Sequence, residues 1–279
     1  MDTFTSIPID KVFPGVFLAI FLTPIQIGPQ KLKGYSVDYF PPPNESRNHY
    51  KNRDTTVPVK YLIMHFTVLN FMETLDKFTN NETENRVSAH YVISEREGEI
   101  KGGQIVQNVN NGSEKFDEQQ FEICGKLSQY LCNDLNINPK NVLGHQDIAP
   151  NRKTDPGVWF DWERLFKDCG VGAWLTQEEM DRDYIEQHYH PTERLPLDGA
   201  VDPALFLRLL KKYGYGYVTD KVIEKVGREG ISPEALEDIA PTIRAFKTHF
   251  SANQKPEMIN DQITAIDQYW AWALVAKYC

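Results

Sequence analysis

Two side chains ten positions apart carry the first chemical suggestion in this chain. His145 and Asp155 stand in the run Gly144-His145-Gln146-Asp147-Ile148-Ala149-Pro150-Asn151-Arg152-Lys153-Thr154-Asp155-Pro156-Gly157. A helix cannot continue through Pro150 or Pro156, so the run reads as a loop that can fold Asp155 back towards His145. Imidazole and carboxylate beside a strand end suit a zinc site with one position open to water. His65 ends a second apolar stretch, Val57 to Thr67, and completes a His/His/Asp set. Either histidine alone would serve equally well as a partner in a hydrogen-bond network. The joint pattern of two strand-end histidines and a proline-framed aspartate is what points to a metal. Lys153 beside Arg152 reads either as a solvated loop lysine or as an ammonium that stabilises a developing oxyanion.

The elements that must position these groups follow from periodicity. Val57 to Thr67 reads as a buried strand, and Asn141-Val142-Leu143 as a short one leading into His145. Between them, Asn70 to Thr79 has helical spacing and Arg86 to Ser94 alternates as a strand. Glu97-Gly98-Glu99 resembles a hairpin turn before Gln104 to Gln107. Asp117 and Gln120 form a capping signal for a helix to about Asn133, with Phe121, Cys124, Leu127 and Leu131 facing inward. Asn138-Pro139 stops it. The expected fold class is α/β, a mixed β-sheet flanked by helices.

Three segments, Leu62 to Thr67, Val87-Ser88-Ala89-His90-Tyr91-Val92-Ile93 and Gly144 to Gly157, resemble zinc-dependent N-acetylmuramoyl-L-alanine amidases of the AmpD/AmiD type. These share a fold with phage amidase-type lysozymes and animal peptidoglycan-recognition proteins. The resemblance implies that His65, His145 and Asp155 are zinc ligands, that Lys153 is the catalytic lysine, and that His90 is structural. It extends over roughly residues 55 to 279, because the C-terminal part looks like the helical module appended to AmiD-type enzymes.

One segment departs from that family. Family members carry a longer stretch after the His90 strand, including a strand whose glutamate helps activate the zinc-bound water. Here the chain runs only from Glu99 to Gly112, which places Gln107 at or near the glutamate position. An amide takes up no proton near neutral pH and cannot act as general base. Metal binding is expected to persist without the glutamate, and turnover to be lower by about a hundredfold or more.

Composition narrows the partners. The 279 residues carry a formal charge of −9, which argues against nucleic acid, since phosphate binding needs a basic face. No apolar run reaches membrane-span length. Val12 to Leu22 is either the hydrophobic part of an export segment or an arm packed on the domain, and the Pro-rich residues 23 to 56 read as an irregular lead-in. The four cysteines include no CxxC pair, so a thiolate zinc site is not expected, and Cys124 and Cys132 read as small core residues. His188 and His190 are followed by Pro191 and have no third ligand nearby.

Beyond the Trp159-Phe160-Asp161-Trp162 cluster, three apolar stripes predict a small three-helix bundle. The first has Leu205, Leu209, Leu210 and Tyr213; the second Leu236, Ile239, Ile243, Phe246 and Phe250; the third Ile263, Ile266, Tyr269, Trp270, Leu274 and Ala276. The expected organisation is a lead-in with a signal-like segment at 1–56, an amidase domain at 57–170, a linker at 171–200 and a helical, peptidoglycan-binding-like domain at 201–279. The expected function is zinc-dependent hydrolysis of the amide between N-acetylmuramic acid and L-alanine in peptidoglycan or muropeptides. It implies a monomer that is periplasmic or secreted, with a cytoplasmic location as the alternative. A zinc-containing peptidoglycan-binding protein of impaired turnover, and a zinc hydrolase of some other amide, are the competing readings.

Overall fold

The computed structural model describes residues 15–19, 56–67, 73–74, 89, 91–93, 118–227, 230–250 and 259–279. His90, Gln107, the expected hairpin at 97–99 and residues 23–55 lie outside them. By its contacts the chain divides into two units, Met1–Val142 with Asp168–Val171, and Leu143–Lys167 with Gly172–Cys279.

The first unit is built on a sheet. Strands β1 (Gly15–Ala19), β2 (Leu62–Thr67) and β3 (Tyr91–Val92) are ordered β3-β1-β2, and a short strand β4 (Val142–Gly144) begins at the unit's last residue before 168. β1 runs antiparallel to both neighbours, with Phe17 opposite His65 on one side and Val92 on the other. Residues 15–19 of the apolar stretch 12–22 thus form a strand. Its Val-Phe-Leu centre suits a pleated surface. Leu62, Ile63 and Met64 are all buried, as expected of a strand covered on both faces.

Helix α1 (Glu118–Leu135) buries Phe121, Cys124, Leu127 and Leu131, the predicted stripe. The expected cap at Asp117 lies outside the described residues, and Gln120 is buried. Its amide donates to the Ile93 carbonyl at 3.2 Å, because a buried amide must be satisfied wherever an acceptor lies. The helix gives way at Asn136, in the left-handed region, and Asn138 caps the short 3-10 turn Pro139–Asn141 by accepting from the Lys140 amide. Burial pushes the Cys124 and Cys132 thiols up to about 12, so neither is a thiolate near neutral pH.

The second unit contains α2 (His145–Ile148), most of α3 (Trp162–Cys169), α4 (Arg182–Tyr189), α5 (Pro203–Tyr213), α6 (Asp220–Glu224), α7 (Pro233–Phe250) and α8 (Ala265–Tyr278). The three long C-terminal helices are the predicted ones, joined by α4, α6 and a small strand pair. α5 starts with Asp202 accepting from the Leu205 amide and ends at Gly214, whose φ of 134° an L side chain resists. In α8 the expected stripe is corrected. Ile266 is half exposed, while residues 270–275 are buried on every side, since the helix packs against both α4 and α5. His188 lies on α4, with Nδ1 2.8 Å from the Tyr184 carbonyl, and His190 terminates that helix in the left-handed region. Among the described residues no helix is long and apolar enough to cross a membrane.

A buried carboxylate ties these helices together. Glu179 accepts from the Thr176 amide (2.8 Å), from Lys277 (2.7 Å) and from the Tyr189 hydroxyl. Burial alone would raise its carboxyl, but the bonds from Lys277, Tyr189 and Thr176, with the Lys277 charge, outweigh that and hold it below the ordinary 4.5. A group depressed in the folded state adds stability above its unfolded value and loses it as pH falls through the folded one. Glu179→Gln is expected to cost about 2 kcal/mol at neutral pH by denaturant titration. Its stability should also fall less steeply than the parent's below about pH 4.5.

Candidate metal centre

The 144–157 run folds back on itself through backbone bonds. Gly144 precedes the single turn of α2, whose first residue is His145. The Ala149 amide donates to the His145 carbonyl (3.0 Å), and the Arg152 and Lys153 amides both donate to the Ala149 carbonyl (3.1 and 3.0 Å). This double turn reverses the chain, and the Gln146 amide then donates to the Asp155 carbonyl at 2.9 Å. The outcome is the juxtaposition expected from sequence, His145 Nδ1 at 3.2 Å from Asp155 Oδ2, with both residues buried.

Gly144 is needed at its position. A Cβ there would lie 2.7 Å from Pro156 Cδ, a ring carbon with nowhere to go. The close pass of strand end and returning loop thus depends on a missing side chain.

His65 joins the pair. One ligand atom from each of His65, His145 and Asp155 lies within 4.8 Å of the others. Two imidazole nitrogens and a carboxylate oxygen are a donor set that suits the borderline ion Zn²⁺. Ligand atoms at zinc-binding distance on a tetrahedron are separated by about 3.4 Å, close to the His145–Asp155 spacing. The donor set fits the ion. Lys153, two residues from Asp155, is half-buried; burial lowers its pKa, and the Asp155 charge works in the opposite direction.

Three further residues in this region form a buried hydrogen-bonded cluster. Asp147 is buried, and its carboxylate takes three hydrogen bonds: from the Gly144 amide (2.7 Å) and from His249 Nδ1 (2.7 Å) on Oδ2, and from the Tyr215 hydroxyl (3.0 Å) on Oδ1. Facing a carboxylate, the histidine nitrogen is the donor. Tyr215 is held well above its usual range, by burial first and the Asp147 charge second, and so keeps its proton. The one available signal was chemical: an aspartate within a buried turn must find donors, and His249 sits on the apolar face of α7.

Residues 55–158 match the profile of a protein family described as N-acetylmuramoyl-L-alanine amidase. The resemblance expected from the sequence is borne out there; the profile ends before the C-terminal helices. The chain is 31% identical over 163 residues to N-acetylmuramoyl-L-alanine amidase AmiD of Escherichia coli (strain K12), covering 58% of this chain and 50% of that protein. It is 43% identical over 50 residues to 1,6-anhydro-N-acetylmuramyl-L-alanine amidase AmpD of Enterobacter cloacae, covering 18% of this chain and 27% of that one. The chain thus spans about half the length of AmiD. A solved complex of E. coli AmiD with anhydro-N-acetylmuramic acid-L-Ala-D-gamma-Glu-L-Lys superposes with a TM-score of 0.41 at 31% identity, over 59% of this chain and 54% of that one.

Gly144→Ala is expected to cost about 1–3 kcal/mol through overpacking against Pro156 and to weaken zinc uptake by displacing His145. Thermal unfolding with and without zinc measures both. A variant as stable as the parent would show that the contact relaxes freely.

Proposed function

We propose that this chain is a zinc-dependent amidase that hydrolyses the bond between N-acetylmuramic acid and L-alanine in peptidoglycan or muropeptides. The observation that carries this reading is the folding of Asp155 onto His145, with His65 alongside, in the segment that matches the amidase profile. His65, His145 and Asp155 would hold Zn²⁺. The ion supplies a Lewis acid and brings the ionisation of water down towards neutral pH. The rest of the chemistry belongs to the chain. The closed 144–157 loop keeps the ligands in register, and the Lys153 ammonium stabilises the negative charge that develops on the carbonyl oxygen as the amide is attacked.

The three ligands come from one chain, so a monomer suffices. Intact wall as substrate implies a periplasmic or secreted enzyme, whereas released muropeptides imply a cytoplasmic one. The boundaries 57–170 for the amidase domain, 171–200 for a linker and 201–279 for a helical domain belong to the same proposal. A second reading rests on Gln107: with a glutamine where the family has a general base, the protein binds zinc and wall fragments without turnover.

Mass spectrometry of soluble products, after incubating the zinc-loaded protein with purified muropeptides, separates the two readings. Free stem peptide should appear with the parent and be absent with His65→Ala. No product from a parent that binds zinc stoichiometrically would sink the enzyme reading and leave the binding protein. In an active parent, Lys153→Gln is expected to lower kcat by about a hundredfold while zinc content stays unchanged. Full activity in that variant would remove Lys153 from the mechanism.

A further inference from the structure

We propose that His249 and Tyr215, on the C-terminal side of the chain, are positioning residues for the metal-binding turn, acting through Asp147. This rests on the reading of His145 and Asp155 as metal ligands. It gives the C-terminal helices a task other than holding wall polymer: they brace the site itself.

The geometry runs as a chain of contacts within the second unit. Oδ2 of Asp147 accepts simultaneously from His249 Nδ1 and from the Gly144 amide, each at 2.7 Å. One oxygen atom therefore links α7 to the backbone amide of Gly144, the residue immediately before His145. Oδ1 is occupied by Tyr215 at 3.0 Å, so the carboxylate is gripped at both ends and cannot rotate without breaking a bond. The imidazole is itself fixed. It stacks on Trp162 (centroids 3.8 Å apart, 18° between planes) and on Phe250 (4.0 Å, 8°). Its other nitrogen meets no protein partner among the described residues, so the ring's one polar contact of this kind is with Asp147.

A phenyl ring would fill the same aromatic stack. What it could not do is donate to Asp147. Loss of that donor leaves a buried carboxylate short of a partner, and a carboxylate seeking solvent would pull on the Gly144 amide and shift the residue that carries the first ligand. Partners outside the ligand shell that orient it are worth about 10–100-fold in metal affinity.

The test is Zn²⁺ affinity of the full-length chain, measured by chelator competition, with far-UV circular dichroism and thermal unfolding of the metal-free forms alongside. His249→Ala is expected to weaken zinc binding by about 10–100-fold, and Tyr215→Phe by a smaller factor. His249→Asn, whose side-chain amide offers a donor near the Nδ1 position, should recover most of the loss. Ile243→Ala, a buried cavity on the same helix, is the control: it should lower the melting temperature while leaving affinity within about threefold of the parent. The proposal is overturned by a folded His249→Ala protein that binds zinc like the parent, or by Ile243→Ala weakening binding as much as His249→Ala does. If His249→Ala does not fold, Tyr215→Phe decides: affinity equal to that of Ile243→Ala overturns the idea, and a distinctly weaker one supports it. A parent that takes up no zinc overturns the metal reading itself, and this inference with it.

Discussion

Bringing a carboxylate ten residues downstream back to within 3.2 Å of an imidazole is the constraint on which the candidate site depends. A flexible segment of that length would spend most of its time elsewhere, and a ligand pair that must be assembled on each encounter binds metal poorly. The chain meets the constraint with ordinary parts. Two amides share the Ala149 carbonyl to reverse direction, the Gln146 amide fastens the return at the Asp155 carbonyl, and Gly144 leaves room for Pro156. Each is a local device, and together they hold the imidazole and the carboxylate 3.2 Å apart, close to the edge of a zinc tetrahedron.

The same loop carries two buried carboxylates with opposite duties. Asp155 faces His145, one of the three metal-site groups; Asp147, two residues past His145, faces away and is saturated by three donors. Placing the second so close to the first needs compensation, since a buried carboxylate without donors costs several kcal/mol. The compensation comes from α7 and from the turn after α5, through His249 and Tyr215.

What could be read in the residues and what could not divides along contact range. His145, Asp155 and the loop between them were legible, because prolines, glycines and residue spacing are local signals. So were β2, the inward stripe of α1 and the three long C-terminal helices, which periodicity alone predicts. The bond from the Gln120 amide to the Ile93 carbonyl spans 27 positions and has no local signal. Ile266 misled for a related reason: in a helix buried on all sides in its middle, an apolar residue near the end carries no information about which face is inward. The pairing of Asp147 with His249 spans 102 positions and follows no period. Only packing in three dimensions reveals it.

The electrostatics of the chain favour this division of labour. A net charge of −9 makes the surroundings attractive to a divalent cation and unattractive to polyanions such as nucleic acid. Long-range attraction raises the local concentration of a cation but cannot choose its coordination. Selection has to come from the donor set and its rigidity, that is, from two imidazoles, one carboxylate and a loop closed by its own backbone. A change that leaves all three ligands in place but loosens the turn would therefore act on metal retention without altering a single coordinating atom. On the proposed function, the residues around Asp147 would bear on metal retention as the ligands do.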